Sequence, residues 1–167
     1  MATALQYADT VLSEYAINDM GTGLTTLQAT AVKFWNQCKA AGAARVLQTT
    51  TLPQAASTDG FTTLAGQTPV ASTLTRQAWN AWLRDGAPLA SGTPAAVGTA
   101  DPAAVRAGQS GHPLHAVVEV AQAVEDPAEP GKWRVDKGPI GGDGTHPNAL
   151  GHKVLGEALT TALGPHT

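Results

Sequence analysis

ADTVLSEYAINDMGTGLTTLQATAVKFWNQCKAAGAARVLQTTT, residues 8–51, sets the fold class of this chain. Its first part, Ala8 to Ile17, mixes Val, Leu, Tyr and Ile with few charges and ends at the polar turn Asn18-Asp19, followed by Gly21 and Gly23. That pattern predicts a buried strand feeding a loop. From Leu24 onward, Leu27, Ala31, Phe34, Trp35 and Cys38 recur at steps of three and four, and Gly42 stands where a helix closes, so residues 24–41 are expected to be helical. Ala44 to Thr51 is rich in β-formers and stops at Pro53, which places a second strand one helix after the first. Strand, helix, strand predicts a right-handed parallel crossover.

The pattern continues outward. Residues 53–72 are dense in Pro, Ser, Asp, Gly and Thr and predict a long ordered loop, with Phe61 and Leu64 as anchors. Thr73 to Arg84 carries Leu74, Ala78, Trp79, Trp82 and Leu83 on one stripe and is closed by Gly86, an amphipathic helix. Residues 86–113 lack periodicity and are expected to be irregular. Leu114 to Val120 alternates like a third strand, Ala121 to Glu129 forms a turn or short helix, and Pro147 to Leu163 makes a last helix with proline at its first position. Alternating strands and helices give an α/β layered fold around a parallel sheet. Only three of its strands can be counted, so the edge beside residues 8–17 is expected to expose unpaired amides and to favour a dimer or larger assembly.

Composition narrows the function classes. A chain of 167 residues fits one domain, and 18 glycines with 11 prolines allow generous loops without reaching low-complexity composition. Charged residues are 14% and the net charge is -3, so the basic stripe that nucleic acid requires is missing. No apolar run nears the roughly 20 residues of a membrane span. The start MATALQYADT shows no signal-peptide pattern. Cys38 is the sole cysteine, which excludes an internal disulfide and a cysteine metal cluster.

Chemistry concentrates at two places. Asp143-Gly144-Thr145-His146-Pro147 puts a carboxylate three residues before an imidazole in a tight turn, where it can hold one ring nitrogen and leave the other free to take a proton. The same pair also suits a helix cap. Ala16-Ile17-Asn18-Asp19 lies at the expected carboxyl end of the first strand, the rim where open α/β sheets bind ligands, and the Asn18 amide can donate to a developing oxyanion. An Asx turn is the alternative there. His112 and His115 have a spacing that could bind metal, but no acidic or thiol partner is adjacent, and a structural or surface role is the plainer reading. The four tryptophans are expected in the core or as loop anchors.

A strand-end Asn-Asp about 125 residues ahead of Asp-x-x-His-Pro and a terminal helix resembles the SGNH, or GDSL, family of esterases and lipases. SEYAINDMGTG is similar to that family's third block, with Ala16 where Gly is usual, and GGDGTHPNALGHKVLGEAL to its fifth. RVLQTTTLP, STDGFTTLAGQTP, RQAWNAWLR, HAVVEVAQAVEDP and PGKWRVDKGP between them resemble a bacterial branch, so the likeness covers nearly the whole chain. It implies a flavodoxin-like three-layer sheet forming a single domain over 1–167. It also implies an acyl-enzyme route to ester hydrolysis with no metal or cofactor. Asn18 would be the oxyanion donor, His146 the general base and Asp143 its orienter, with Asp19 and Ala16 on the substrate-facing rim. Short acyl esters are the default substrates, with lipids or acetylated glycans allowed. The family's Gly-Asp-Ser nucleophile block has no counterpart here and its second-block glycine is not recognisable, so the chain resembles the carboxyl-terminal portion of such a hydrolase. Ser13, Ser57, Ser72, Ser91 and Ser110 all lack the nucleophile's surroundings. The alternative is a catalytically impaired remnant that keeps its sheet for binding or assembly.

Overall fold

The helix α1 spans Leu24–Ala40 and turns Leu27, Ala31, Val32, Trp35 and Cys38 inward, while Phe34 is half-buried. A computed structural model describes residues 7–163. Gly42, at φ +99°, ends the helix in a backbone region that side chains disfavour. Before and after α1 in the chain come β1 (Thr10–Ser13) and β2 (Arg45–Thr49), which pair in parallel with Thr10 opposite Arg45 and Ser13 opposite Gln48. A third strand, β8 (Ala116–Val118), joins β2 in parallel, giving the order β1-β2-β8. The α/β class and the parallel sheet are thus present.

Position in this sheet explains burial. The central strand β2 is buried along its length after Arg45, as a parallel strand covered on both faces should be. Among these buried positions the long polar residue, Gln48, is fully used: Oε1 accepts the Trp35 indole N–H at 3.3 Å, and Nε2 donates to the Tyr15 and Thr49 carbonyls, both at 3.2 Å. The strand expected over 8–17 is only four residues long and lies at an edge, with Leu12 exposed. It stops early because Ala16 sits at φ +129°, which an extended chain cannot contain.

The chain forms two compact units, one of the residues up to Thr50 with Ala78–Val118, the other of Thr51–Gln77 with the residues from Glu119 onward. In the first, the core is aromatic. Trp35 stacks on Trp82 with ring centroids 5.8 Å apart, Trp79 tilts against Trp82 at 5.4 Å, and Tyr15 meets Trp79 edge-on at 6.2 Å. Helix α2 has the expected bounds, Thr73–Arg84, but Leu74 is exposed. At about 100° per residue it lies about 140° around the axis from Trp79 and opposite Leu83.

Residues 86–113 are more ordered than their composition suggests. They contain a small antiparallel sheet of β5 (Leu89–Ala90), β6 (Thr93–Pro94) and β7 (Ala104–Val105), in the order β6-β5-β7. Ser91 and Gly92, at φ +50° and +76°, form the two-residue turn between β5 and β6, where the right-handed twist of the strands demands positive φ at both positions. Arg106 Nε reaches Asp85 Oδ1 at 3.1 Å, and Asp85 Oδ2 accepts the Gly98 N–H at 2.8 Å, tying the following loop down. The guanidinium holds the Asp85 carboxyl below its usual range.

The second unit replaces the expected 53–72 loop with a short antiparallel pair, β3 (Ala55–Ser57) and β4 (Gln67–Pro69). Asp59 organises the turn between them, its carboxylate accepting Ser57 Oγ at 2.9 Å, Thr63 Oγ1 at 2.6 Å and Thr63 N–H at 3.0 Å. The α3 turn (Ala121–Val124) packs on α4 (Ala149–Leu163). Ala55, Phe61, Val124, Trp133 and Ile140 form the core, with Leu52, Val154 and Leu155 against it. Leu150, in the first turn of α4, is exposed. Arg76 is almost wholly buried and pairs with Glu125, whose Oε1 also accepts the Gly131 N–H at 2.6 Å, and Arg76 Nη1 donates to the Thr51 carbonyl at 3.1 Å. No described helix is long and apolar enough to cross a membrane.

His112 is a titratable group built into the first unit. Its Nδ1 accepts the Leu114 N–H at 3.0 Å, so the proton resides on Nε2, which donates to the Ala87 carbonyl at 2.8 Å. Burial pushes its pKa below the ordinary 6.5, partly offset by the two carbonyl contacts. The folded state therefore resists a proton that the unfolded chain accepts, and the stability contributed by neutral His112 is present above about pH 6.5 and lost as pH falls toward the folded value. The wild-type urea midpoint is expected to fall between about pH 7.5 and 5.5 more steeply than that of His112→Gln, the difference isolating this group from the other histidines.

Candidate active site

GPIGGDGTHPN, residues 138–148, is a loop that glycine permits and hydrogen bonds close. Gly142 and Gly144 have φ of +57° and +95°; a Cβ on the first would collide with the His146 carbonyl oxygen, and on the second with that of Ala55. The Gly144 N–H donates to the Gly141 carbonyl at 2.8 Å, and the Gly144 carbonyl accepts the Ala55 N–H at 3.1 Å and the Trp133 indole N–H at 3.2 Å. Gln54 Nε2 reaches Thr145 Oγ1 at 3.3 Å. Asn148 follows as the cap of α4, its Oδ1 accepting the Gly151 N–H at 3.0 Å. The expected proline start is therefore displaced: Pro147 precedes the cap, and Asn148, a far better N-cap, begins the helix.

Within this frame Asp143 and His146 meet. Asp143 Oδ1 accepts the backbone N–H of His146 at 2.7 Å and of Thr145 at 2.9 Å, and Oδ2 lies 2.9 Å from His146 Nδ1. The His146 ring bond first, then the two backbone donors, hold the Asp143 carboxyl well below the usual carboxylate range. Facing an ionised carboxylate, Nδ1 carries the ring proton and Nε2 presents its lone pair. The His146 side chain is 77% exposed and that of Asp143 63%, and among the described residues Nε2 has no hydrogen-bond partner. The arrangement fixes the ring's tautomer and orientation while leaving a base open to solvent.

The other candidates belong to the first unit. Because β1 ends at Ser13, Asn18 is carried not by a strand terminus but by a 3-10 helix, Ile17–Thr22. Asn18 and Asp19 are both exposed, and among the described residues the Asn18 amide has no hydrogen-bond partner, so no Asx turn forms. Ala16 is buried and carries its methyl at the positive φ noted above, a conformation natural to glycine and strained for alanine.

The serines are variously engaged. Ser13 Oγ accepts the Tyr15 N–H at 3.2 Å, and Ser57 Oγ donates to Asp59 while accepting the Phe61 N–H at 2.8 Å. Ser91 is in the β5–β6 turn and Ser110 is exposed. His115 and His152 are exposed, and no group of three His, Cys, Asp or Glu among the described residues is arranged to hold a metal ion. Sequence reasoning missed Ala55 and Gln67 as supports of the loop, whereas Trp133 is a core residue and loop anchor, as expected of the tryptophans. Glycine at 142 and 144 was the available signal for a loop pressed against its neighbours. Compared with protein-family models and with curated proteins, the chain matches none of them.

Two substitution sets test this local reading. Gly144→Ala is expected to destabilise the protein by about 2 kcal/mol or more through strain and collision. Gly156→Ala, inside α4 with open space around it, is expected to stabilise by about 1 kcal/mol. Chemical denaturation of both gives opposite signs. For Ala16→Gly, relief of about 1–3 kcal/mol of strain offsets a lost methyl worth about 0.8 kcal/mol. Ala43→Gly, equally buried and without positive φ, is expected to lose about 1–2 kcal/mol, so its midpoint falls below that of Ala16→Gly.

Proposed function

We propose that this chain is a carboxylic ester hydrolase of the SGNH type, with His146 as general base and Asp143 as its orienter. The observation that carries the reading is the 2.9 Å contact between His146 Nδ1 and Asp143 Oδ2, which leaves Nε2 basic and accessible. The parallel order β1-β2-β8 and the glycine-like backbone of Ala16 support it. The assignments of Asn18 as oxyanion donor and of Asp19 and Ala16 to the rim rest on the sequence resemblance.

In this reading His146 Nε2 takes the proton of an attacking hydroxyl, from a serine or from water, as its oxygen adds to the ester carbon. The carbonyl electrons move to the oxygen, which becomes the oxyanion of a tetrahedral intermediate. Collapse of that intermediate expels the alkoxide, which recovers the proton from the His146 imidazolium. Asp143 keeps its charge throughout and stabilises the imidazolium. The reading invokes no metal or cofactor.

A second reading, a binding or assembly module, draws on the same loop. Asp143 Oδ1 serves two backbone N–H groups, so the carboxylate also has a purely structural use. Hydrolysis of p-nitrophenyl acetate separates the two. The hydrolase reading expects turnover that falls about 100-fold or more in His146→Ala, the usual scale for a lost general base. Turnover unchanged by that substitution overturns the assigned base, and no turnover at all favours the module. A fluorophosphonate probe then identifies the nucleophile: one modified serine marks an acyl-enzyme, and none in an active protein marks attack by water.

A further inference from the structure

The loop that carries Asp143 and His146 is held from its buried side by a residue outside the catalytic pattern. Trp133 is fully buried, and its backbone is clamped by the side chain of Gln67, itself 3% exposed. The Trp133 N–H donates to Gln67 Oε1 at 2.8 Å, and Gln67 Nε2 donates to the Trp133 carbonyl at 2.8 Å, so one side-chain amide pairs with both backbone groups as a neighbouring strand would. Gln67 Nε2 also reaches the Thr63 carbonyl at 3.3 Å. With its backbone fixed in this way, the indole places Nε1–H 3.2 Å from the carbonyl of Gly144, the residue immediately after Asp143.

Core packing alone does not explain this contact. Phenylalanine would fill apolar volume as well, and pairing is not automatic for an indole here, since buried Trp82 Nε1 has no hydrogen-bond partner among the described residues. The Trp133 N–H instead joins the Ala55 N–H on one carbonyl and fixes the Gly144–Thr145 peptide plane, whose Thr145 N–H donates to the same Asp143 carboxylate that meets the His146 ring. We infer that Trp133, clamped by Gln67, is the positioning residue of the Asp143–His146 pair. Its functional meaning rests on the hydrolase reading above.

The test is Trp133→Phe, followed by NMR titration of the Asp143 carboxyl and by ester turnover, with Val124→Ala as a control that loosens the same core while leaving both hydrogen bonds to the Gly144 carbonyl in place. Trp133→Phe is expected to raise the Asp143 titration toward the ordinary carboxylate range, lowering its acid dissociation constant about tenfold, because the ring and backbone donors no longer converge on it. It is expected to lower kcat about tenfold with KM within about twofold, since misplacement of a reacting group is paid in turnover. Val124→Ala is expected to melt earlier with the Asp143 titration unchanged. A titration and kcat left at wild-type values in Trp133→Phe overturn the inference, as does an equal shift in the control. Should Trp133→Phe fail to fold, the wild type still decides: the Trp133 indole proton must exchange slowly and its resonance must follow the Asp143 titration, and a resonance flat across that titration overturns the inference. A shifted Asp143 titration in Trp133→Phe, with a wild type that hydrolyses no ester, sinks the hydrolase reading and leaves the positioning role standing.

Discussion

The carbonyl oxygen of Gly144 accepts two N–H groups, one from the backbone of β3 and one from an indole, and the geometry of the candidate site depends on that junction. It fastens an exposed loop to a buried frame. The loop approaches so closely that no side chain fits at position 144, and it returns so tightly that none fits at 142. Asp143, held between these glycines, has its carboxylate aimed by the turn itself and needs no support from solvent-facing neighbours.

Exposure and anchoring divide the work. A histidine and carboxylate exposed to this degree interact in a high-dielectric, salt-screened setting, where an ion pair contributes little to folding. What the pair gains is orientation, and the covalent closeness of positions 143 and 146 supplies that at small entropic cost. The strong polar contacts that hold the unit together lie elsewhere, at Gln67 with Trp133 and at Arg76 with Glu125. Breaking the latter pair by removing Glu125 would strand a buried guanidinium, which is the costly direction for such pairs.

Periodic segments were legible in the sequence, and segments governed by turn chemistry were less so. Helix α1 and helix α2 fell within a residue or so of their expected ends because apolar spacing and a closing glycine agree there. Strand β2 was legible in its β-formers and strand β8 in its alternation. Composition misled over 86–113, where Ser91-Gly92 alone announces a hairpin and two-residue strands are too short to show alternation. The early end of β1 was hidden because alanine at 16 gives no hint of a positive φ. The Asp143–His146 contact was readable from spacing, since three residues suffice to close it. Its support by Trp133 and Ala55 joins positions 11 and 89 residues away from Gly144, and nothing local to either position announces that meeting.

The interleaving of the two units has a consequence for synthesis of the chain. A ribosome delivers β1, α1 and β2 first, then all of Thr51–Gln77, before the tryptophans of α2 and the strand β8 that complete the first unit. Until residues 79–82 have emerged, the nascent polypeptide presents the apolar stripe of α1 without Trp79 and Trp82, and until residue 118 has emerged it presents the open side of β2 without its second neighbour. Such late closure slows folding and favours capture by chaperones or by other nascent chains, a vulnerability set by chain order rather than by the strength of any final contact.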